Sequence, residues 1–187
     1  MELPLNVALL VLAGGRGRRL GGVVKPLLRR ADGRTLLAHA LERFAPLVDE
    51  AYVVAPASMH AALGAIGACL EDPGEGPAAA LFAAARVVDA TTLLLIGGDL
   101  VDPPVEVAKT LLAAVEGGAR AAVGRHDGMQ QSMISVFSRD AVLAVDPMPR
   151  AMHRLLAALD ATYVELDAPL VDVDAPDDVE RHALEPP

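Results

Sequence analysis

The chain has 187 residues, a length that suits one domain, residues 1–187, and 53% of them are hydrophobic, ample for a sizeable core. Its net charge of -9 argues against non-specific nucleic-acid binding, which needs a basic surface. Its single cysteine, Cys69, excludes an intrachain disulfide. No run reaches the roughly 20 apolar residues of a membrane span, and Met1–Pro4 lacks the positive stretch of a signal peptide, so the chain reads as cytoplasmic, with no membrane partner. Aromatics make up only 3%, with no tryptophan, so leucine, valine and alanine must form the core.

Short apolar runs alternate with segments of helical period. Val7–Ala13 is a continuous apolar run stopped by Gly14-Gly15, the pattern of a strand buried on both faces. Thr35–Phe44 places Leu36, Leu37, Ala40, Leu41 and Phe44 on one helical stripe. Ala51–Ala55 reads as a strand, and Ser58 as the cap of a short helix through Leu63. Ala68–Glu71 is a brief strand, and the loop Asp72–Pro77 leads into a helix Ala78–Val88 with Pro77 in its first turn. Thr92–Ile96 is a buried strand ended by Gly97-Gly98-Asp99, and Pro104–Val115 is a helix closed by Gly117-Gly118. Ala121–Gly124 and Met133–Phe137 read as strands around a loop Arg125–Gln131. A helix Ala151–Leu159, strands Tyr163–Leu166 and Leu170–Val173, and a helix Pro176–Leu184 complete the chain.

This alternation predicts a three-layer α/β/α domain around a mostly parallel, Rossmann-like sheet, with an antiparallel piece after Gly124. Ligands of such sheets bind beyond the carboxyl ends of the strands. Gly14–Lys25, Asp72–Pro77, Gly98-Asp99 and Asp172–Asp174 all fall at such ends, the pattern of one shared site.

The first of these segments follows an apolar strand and carries Gly14, Gly15, Gly17, Gly21 and Gly22 with Arg16, Arg18 and Arg19. It also carries Lys25, one of only two lysines in a chain with 14 arginines. The dinucleotide fingerprint fails, because Leu20 stands where its third glycine belongs, and the Walker motif fails, because Lys25 lies between Val24 and Pro26. Pro26 disfavours a helix running through Lys25, which therefore reads as part of an extended segment. What remains is a glycine-rich loop whose backbone N–H groups attract phosphate oxygens, with cations close by.

Leu12-Ala13-Gly14-Gly15, Gly17, Arg19-Leu20-Gly21 and Lys25-Pro26-Leu27-Leu28 resemble the signature of nucleotidyltransferases that move NMP from an NTP to a phosphorylated acceptor. Within that superfamily they are most similar to the molybdenum cofactor guanylyltransferases. Asp72–Leu81 resembles that family's loop beside base and ribose, and Leu93–Ile96 with Gly98-Asp99-Leu100 resembles its strand ending in a metal-holding aspartate. Asp172-Val173-Asp174-Ala175-Pro176 resembles its terminal Asn-Ile-Asn-Thr-Pro.

The resemblance implies a sheet of the nucleotide-diphospho-sugar transferase type. It implies transfer of GMP from GTP to molybdopterin with release of pyrophosphate, Mg²⁺ as cofactor, and transient contact with proteins of the cofactor pathway. Leu12, Ala13, Gly14, Gly15, Gly17, Lys25, Asp72, Gly76, Pro77 and Asp99 would bind the nucleotide. Arg19 and Lys25 would be catalytic, Arg19 at the leaving pyrophosphate and Lys25 at the α-phosphate. Asp99, Asp172 and Asp174 would hold the metal, the last two alternating on a strand and so facing one side; Asp174 has the alternative of capping the final helix.

Departures from the family wording bear on the substrates. Gly98 replaces a cysteine, and the proline after Asp99 is displaced to Pro103-Pro104. Ala55-Pro56-Ala57 replaces a nucleotide-binding asparagine, and Gln130-Gln131-Ser132-Met133 lacks the usual proline. The acidic pair Asp172 and Asp174 is the form seen in cytidylyltransferases and phospholactate guanylyltransferases, which stand as alternatives beside a non-catalytic nucleotide-binding relative. A nucleotide-sugar glycosyltransferase is disfavoured, because Asp99-Leu100-Val101-Asp102 has the wrong spacing for Asp-x-Asp.

Overall fold

The computed structural model describes residues 6–15, 18–146 and 149–187; Arg16, Gly17 and Met148 lie outside them. In chain order the elements are β1 (Val7–Leu12), α1 (Leu36–Phe44), β2 (Glu50–Ala55), α2 (Ala57–Leu63), β3 (Ala68–Glu71), α3 (Pro77–Ala85) and β4 (Thr92–Gly97). Then come α4 (Val105–Glu116), β5 (Ala121–His126), β6 (Met129–Ser138), α5 (Arg139–Leu143), α6 (Met152–Ala158), β7 (Thr162–Glu165) and α7 (Pro176–Arg181).

One seven-stranded sheet runs in the order β3-β2-β1-β4-β6-β5-β7. Only β6 is antiparallel to its neighbours β4 and β5; the other ladders are parallel. The expected mostly parallel α/β sheet is therefore present, with the antiparallel strand where the alternation breaks down. The central strands are apolar throughout because both faces are covered. Ala8 and Leu10 of β1, with Leu93 and Leu95 of β4, pack under α3, α5 and α6. Leu9 and Val11, with Leu94 and Ile96, pack under α1, α2 and α4. The period of two along each strand thus feeds two cores. Among the described residues no helix is long and apolar enough to cross a membrane.

Local chemistry explains most element ends. Thr35 caps α1, its Oγ1 accepting from the Ala38 N–H at 3.1 Å. Gly76 and Pro77 open α3 as expected. Ser58, expected as a cap, lies inside α2, whose start is Pro56-Ala57. α3 ends at Ala85, three residues before Val88, and α7 ends at Arg181 rather than Leu184.

Two further expectations fail. The segment Arg125–Gln131 is not a loop: β5 and β6 run through it and close on a two-residue turn, Asp127-Gly128, with φ of 47° and 77°. Positive φ at both positions is what a tight hairpin turn requires, and Asp-Gly tolerates it. Leu170–Val173 is not a strand; only an isolated bridge pairs Asp172 with Leu100. α5 was not anticipated; Ser138 caps it by accepting from the Ala141 N–H.

A third, small core fastens the chain's end beside the glycine-rich segment. Leu28, Leu36, Val173 and Leu184 are buried together. Arg29 and Glu185 exchange two backbone hydrogen bonds of 2.8 Å. Lys25 lies three residues before Leu28, and Asp172 and Asp174 flank Val173, so this core brings them to one place.

Candidate active site

Lys25 is not extended. Lys25–Leu27 forms a single 3-10 turn, with the Leu28 N–H donating to the Lys25 carbonyl at 3.0 Å. Pro26 blocks a helix arriving from upstream but is compatible with the first turn of one starting at Lys25. Pro26 is buried against Gly98, where a Cβ would lie 2.9 Å from the Leu12 carbonyl oxygen and 3.2 Å from Pro26 Cγ. The glycine at position 98 lets this turn approach the end of β4.

The consequence is a four-membered charge cluster. Lys25 Nζ donates to Asp99 Oδ2 at 3.0 Å and to Asp174 Oδ1 at 2.7 Å. Asp99, Asp172 and Asp174 each offer a carboxylate oxygen, all within 4.8 Å of one another. The backbone of 171–173 is laced to 99–101, with the Val173 N–H donating to the Asp99 carbonyl at 3.2 Å and the Val101 N–H to the Val171 carbonyl at 2.9 Å. Asp174 does not cap α7. Asp178 does, its Oδ2 accepting from the N–H groups of Asp174 at 3.0 Å and Ala175 at 2.9 Å. Those two bonds hold the Asp178 carboxyl below its ordinary range.

Electrostatics follows from the cluster. Partial burial pulls the Lys25 pKa down, but hydrogen bonds to Asp174 and Asp99 and their charges outweigh it, and the net shift is upward. Desolvation in the cleft raises the Asp172 pKa, and the neighbouring carboxylates of Asp174 and Asp99 raise it further. An all-oxygen donor set of three carboxylates, without histidine or cysteine, suits a hard divalent cation. Lys25 is the cation that Asp99 and Asp174 hold here.

The cluster borders a cavity of about 520 Å³. Of the residues expected to bind nucleotide, Leu12, Gly14, Gly15, Asp72, Gly76, Pro77 and Asp99 line it. Lys25 borders an adjoining recess with Ala13, Gly15 and Asp99. Gly14 lies close under Asp72: a Cβ there would meet Asp72 Oδ2, so a larger residue would turn that carboxylate out of its present place. Asp72 is a turn residue as well as a cavity residue, its Oδ1 accepting from the Gly74 N–H at 2.8 Å. Ala13 departs from expectation. It is buried, and its N–H is spent on the Val54 carbonyl at 2.8 Å, so it has no backbone donor left for a phosphate. Arg19 is exposed in a 3-10 turn, Arg18–Leu20, and does not line the cavity; Gly17 lies outside the described residues.

Met133 and Pro56 also line the cavity; sequence reasoning assigned neither a binding role, although Pro56 lies in the segment that stands where the family carries a nucleotide-binding asparagine. Met133 looks like packing in any periodicity argument. Arg125, at the hairpin, is engaged elsewhere: its Nε donates to Glu165 at 2.6 Å and its guanidinium lies 4.9 Å from the centre of the Tyr163 ring.

A family described as the MobA-like NTP transferase domain matches residues 9–172. A molybdenum cofactor guanylyltransferase from Shewanella putrefaciens is 30% identical over 136 residues, covering 71% of this chain and 69% of its own. One from Pseudomonas putida is 34% identical over 138 residues, covering 71% and 70%. In the same fold is the crystal structure of molybdopterin-guanine dinucleotide biosynthesis protein A from Archaeoglobus fulgidus, with a TM-score of 0.72 at 21% identity over 94% of this chain and 96% of that one. The chain belongs to the MobA-like NTP transferase family and is a nucleotidyltransferase.

Proposed function

We propose that the protein transfers GMP from GTP to the phosphate of molybdopterin and releases pyrophosphate, with Mg²⁺ as its cofactor. The observation that carries the reading is the convergence of Lys25, Asp99, Asp172 and Asp174 at the edge of a cavity lined by the glycine-rich strand end. The names of the relatives support guanine and the pterin acceptor.

The acceptor phosphate, with a second pKa near ~6, is already largely anionic at neutral pH and attacks the α-phosphorus without a general base. A new P–O bond forms to the α-phosphorus as its bond to the β-phosphate oxygen breaks, and pyrophosphate leaves with that electron pair. Catalysis is then positioning and charge stabilisation. The Lys25 ammonium, held by Asp99 and Asp174, neutralises charge at the α-phosphate. Arg19, reaching from its exposed turn, balances the leaving pyrophosphate. Gly14 and Gly15 let the phosphates approach the backbone, and Asp72 accepts from the donor edge of guanine, whose N1–H and amino group both point outward. Asp99, Asp172 and Asp174 would hold Mg²⁺, which when bound supplies Lewis-acid stabilisation of the phosphate oxygens.

The acidic pair Asp172 and Asp174 favours a second reading, with CTP as donor. Cytosine offers a single amino donor to Asp72, where guanine offers two groups. Pyrophosphate release with GTP, CTP, ATP and UTP, each with and without molybdopterin, separates the readings. Release with GTP and the pterin alone supports the first; release with CTP and not GTP supports the second.

A further inference from the structure

The segment that carries Asp99 runs from β4 to α4 with no helix or ladder of its own; Leu100 has only its isolated bridge to Asp172. Its backbone groups must therefore find partners elsewhere. Val101 finds both. Its N–H donates to the Val171 carbonyl at 2.9 Å, and its carbonyl accepts from Arg30 Nη1. Val101 is thus gripped from two sides, by the segment of Asp172 and Asp174 and by the segment of Lys25. Asp102, next in the chain, meets α1, where Arg43 Nη1 donates to its Oδ1 and His39 Nε2 stands 3.4 Å away.

Arg30 reaches Val101 from a rigid mount. Its N–H donates to the Arg34 carbonyl and its carbonyl accepts from the Gly33 N–H, both at 2.8 Å, across a tight turn in which Gly33 has a φ of 81°. Leu28, two residues earlier, is buried in the third core, against which Val101 also packs. The guanidinium makes no close ion pair. Its Nε stands 3.9 Å from Asp32 and has no hydrogen-bond acceptor among the described residues. The bond it does make goes to a main-chain carbonyl, and a charge-assisted bond of that kind fixes the place of the backbone. Only a quarter of the Arg30 side chain is exposed, which a weakly hydrated guanidinium tolerates.

We infer that Arg30 is a positioning residue for the three acids. By holding the Val101 carbonyl it fixes the segment 99–101, and the hydrogen bonds from that segment to 171–173 carry the constraint to Asp172 and Asp174. The inference rests on the nucleotidyl-transfer reading above and adds to it a residue that touches neither substrate nor metal. One short stretch of chain then does two things: Lys25 meets the carboxylate of Asp99, and Arg30 meets the backbone two residues further on. Without the guanidinium the Val101 carbonyl is a half-buried acceptor with no partner, and the segment is free to shift.

The test compares Arg30→Met, which keeps the apolar stem and loses the donor, with Arg30→Lys, which keeps a charged donor of similar reach. Mn²⁺ binding without nucleotide is read by electron paramagnetic resonance, turnover by pyrophosphate release from GTP with molybdopterin, and backbone protection by hydrogen exchange. Arg30→Met weakens Mn²⁺ binding and lowers kcat by about tenfold each, the scale on which a lost partner behind metal ligands acts. KM for GTP stays within about twofold, since the contacts that bind the nucleotide are untouched. The Val101 and Val173 amides exchange faster while those of β1 and β4 keep their protection, which makes the change local. Arg30→Lys returns Mn²⁺ affinity and kcat to within about threefold of wild type, because an ammonium supplies the same charge-assisted bond. Arg34→Ala, whose side chain pairs with Asp32 and Glu42, behaves as wild type. Unchanged Mn²⁺ affinity and amide exchange in Arg30→Met, or an Arg30→Lys as impaired as Arg30→Met, overturns the inference. Should Arg30→Met unfold, Arg30→Gln, polar but too short to reach the carbonyl, carries the same expectations and the same refutation. A wild type that binds no Mn²⁺ refutes the metal reading instead, and the exchange of the Val101 and Val173 amides still decides the role of Arg30.

Discussion

Lys25 Nζ lies 2.7 Å from Asp174 Oδ1, although 149 residues separate them in the chain. The contact is built by neighbours rather than by the pair itself, because Leu28 and Val173 share a buried core. Removing the ammonium leaves three carboxylates facing one another and takes away the one cation of the cluster. Lys25→Ala is expected to lower kcat/KM by about 10²–10³-fold, the range for loss of one preorganised electrostatic contact. Steady-state pyrophosphate release measures it; a loss below threefold would remove Lys25 from the chemistry. Lys25→Arg does not restore the rate, since a planar fork cannot occupy the place of a compact ammonium bridging two carboxylates.

Val173→Ala separates support from chemistry. Val173 is fully buried and touches no ligand space. Its truncation costs about 2 kcal/mol of stability, from lost burial plus the void that remains. It also loosens Asp172 and Asp174, so activity falls while nucleotide affinity is retained. Urea unfolding and kinetics on one preparation check both, and full activity in the variant would show that the third core does not position the acids.

Asp172 gives a prediction with a definite sign. Desolvation and the neighbouring acids raise its folded-state pKa above the unfolded value. A raised carboxylate binds its proton more tightly when folded, so its contribution to stability is greatest at low pH and declines as pH rises from the unfolded pKa through the folded one. At neutral pH and without metal, Asp172→Asn therefore raises the Tm while lowering activity. Thermal melts in chelator at pH 7 test this; a lower Tm contradicts it.

Gly98→Cys restores the residue that the resemblance leads one to expect there, yet the structure opposes it. The added Cβ would press on the Leu12 carbonyl and Pro26. Overpacking of this kind costs about 1–3 kcal/mol, and it pushes the Lys25 turn away from Asp99. Loss of both stability and rate is the expected result, read by denaturation and turnover; an equally stable, equally active variant would show that the turn can retreat freely.

Asp72→Asn addresses the base. A carboxylate accepting from two guanine donors is worth about 1.5–3 kcal/mol per charged hydrogen bond, and an amide keeps only one acceptor. The preference for GTP over CTP should fall by at least tenfold in competition assays. An unchanged ratio would place base selection elsewhere in the cavity.

The strands and their faces were legible in the sequence because burial on both sides leaves continuous apolar runs, as in Val7–Leu12 and Thr92–Gly97. The cavity's glycines and Asp72 were legible through their place after those strands. The register of Asp172 and Asp174 was not, since hydrogen bonds to residues 99–101, far away in sequence, fix that segment without a ladder. The β5–β6 hairpin was masked by Arg125–Gln131, whose polar residues read as loop although Asp127-Gly128 alone makes the turn. Ala13 was assigned a phosphate contact from motif position, and nothing local reveals that Val54 takes its N–H.

The most direct measurement is the fate of labelled phosphate. The protein is incubated with Mg²⁺, molybdopterin and GTP carrying label at the α- or at the γ-phosphate, and the products are separated. Nucleotidyl transfer at Lys25 and Asp99 puts the α-label in the acceptor adduct and the γ-label in pyrophosphate, with both signals lost in Asp99→Ala. Appearance of the γ-label in the acceptor, or an α-label that stays with free nucleotide while GTP is bound, would contradict the account.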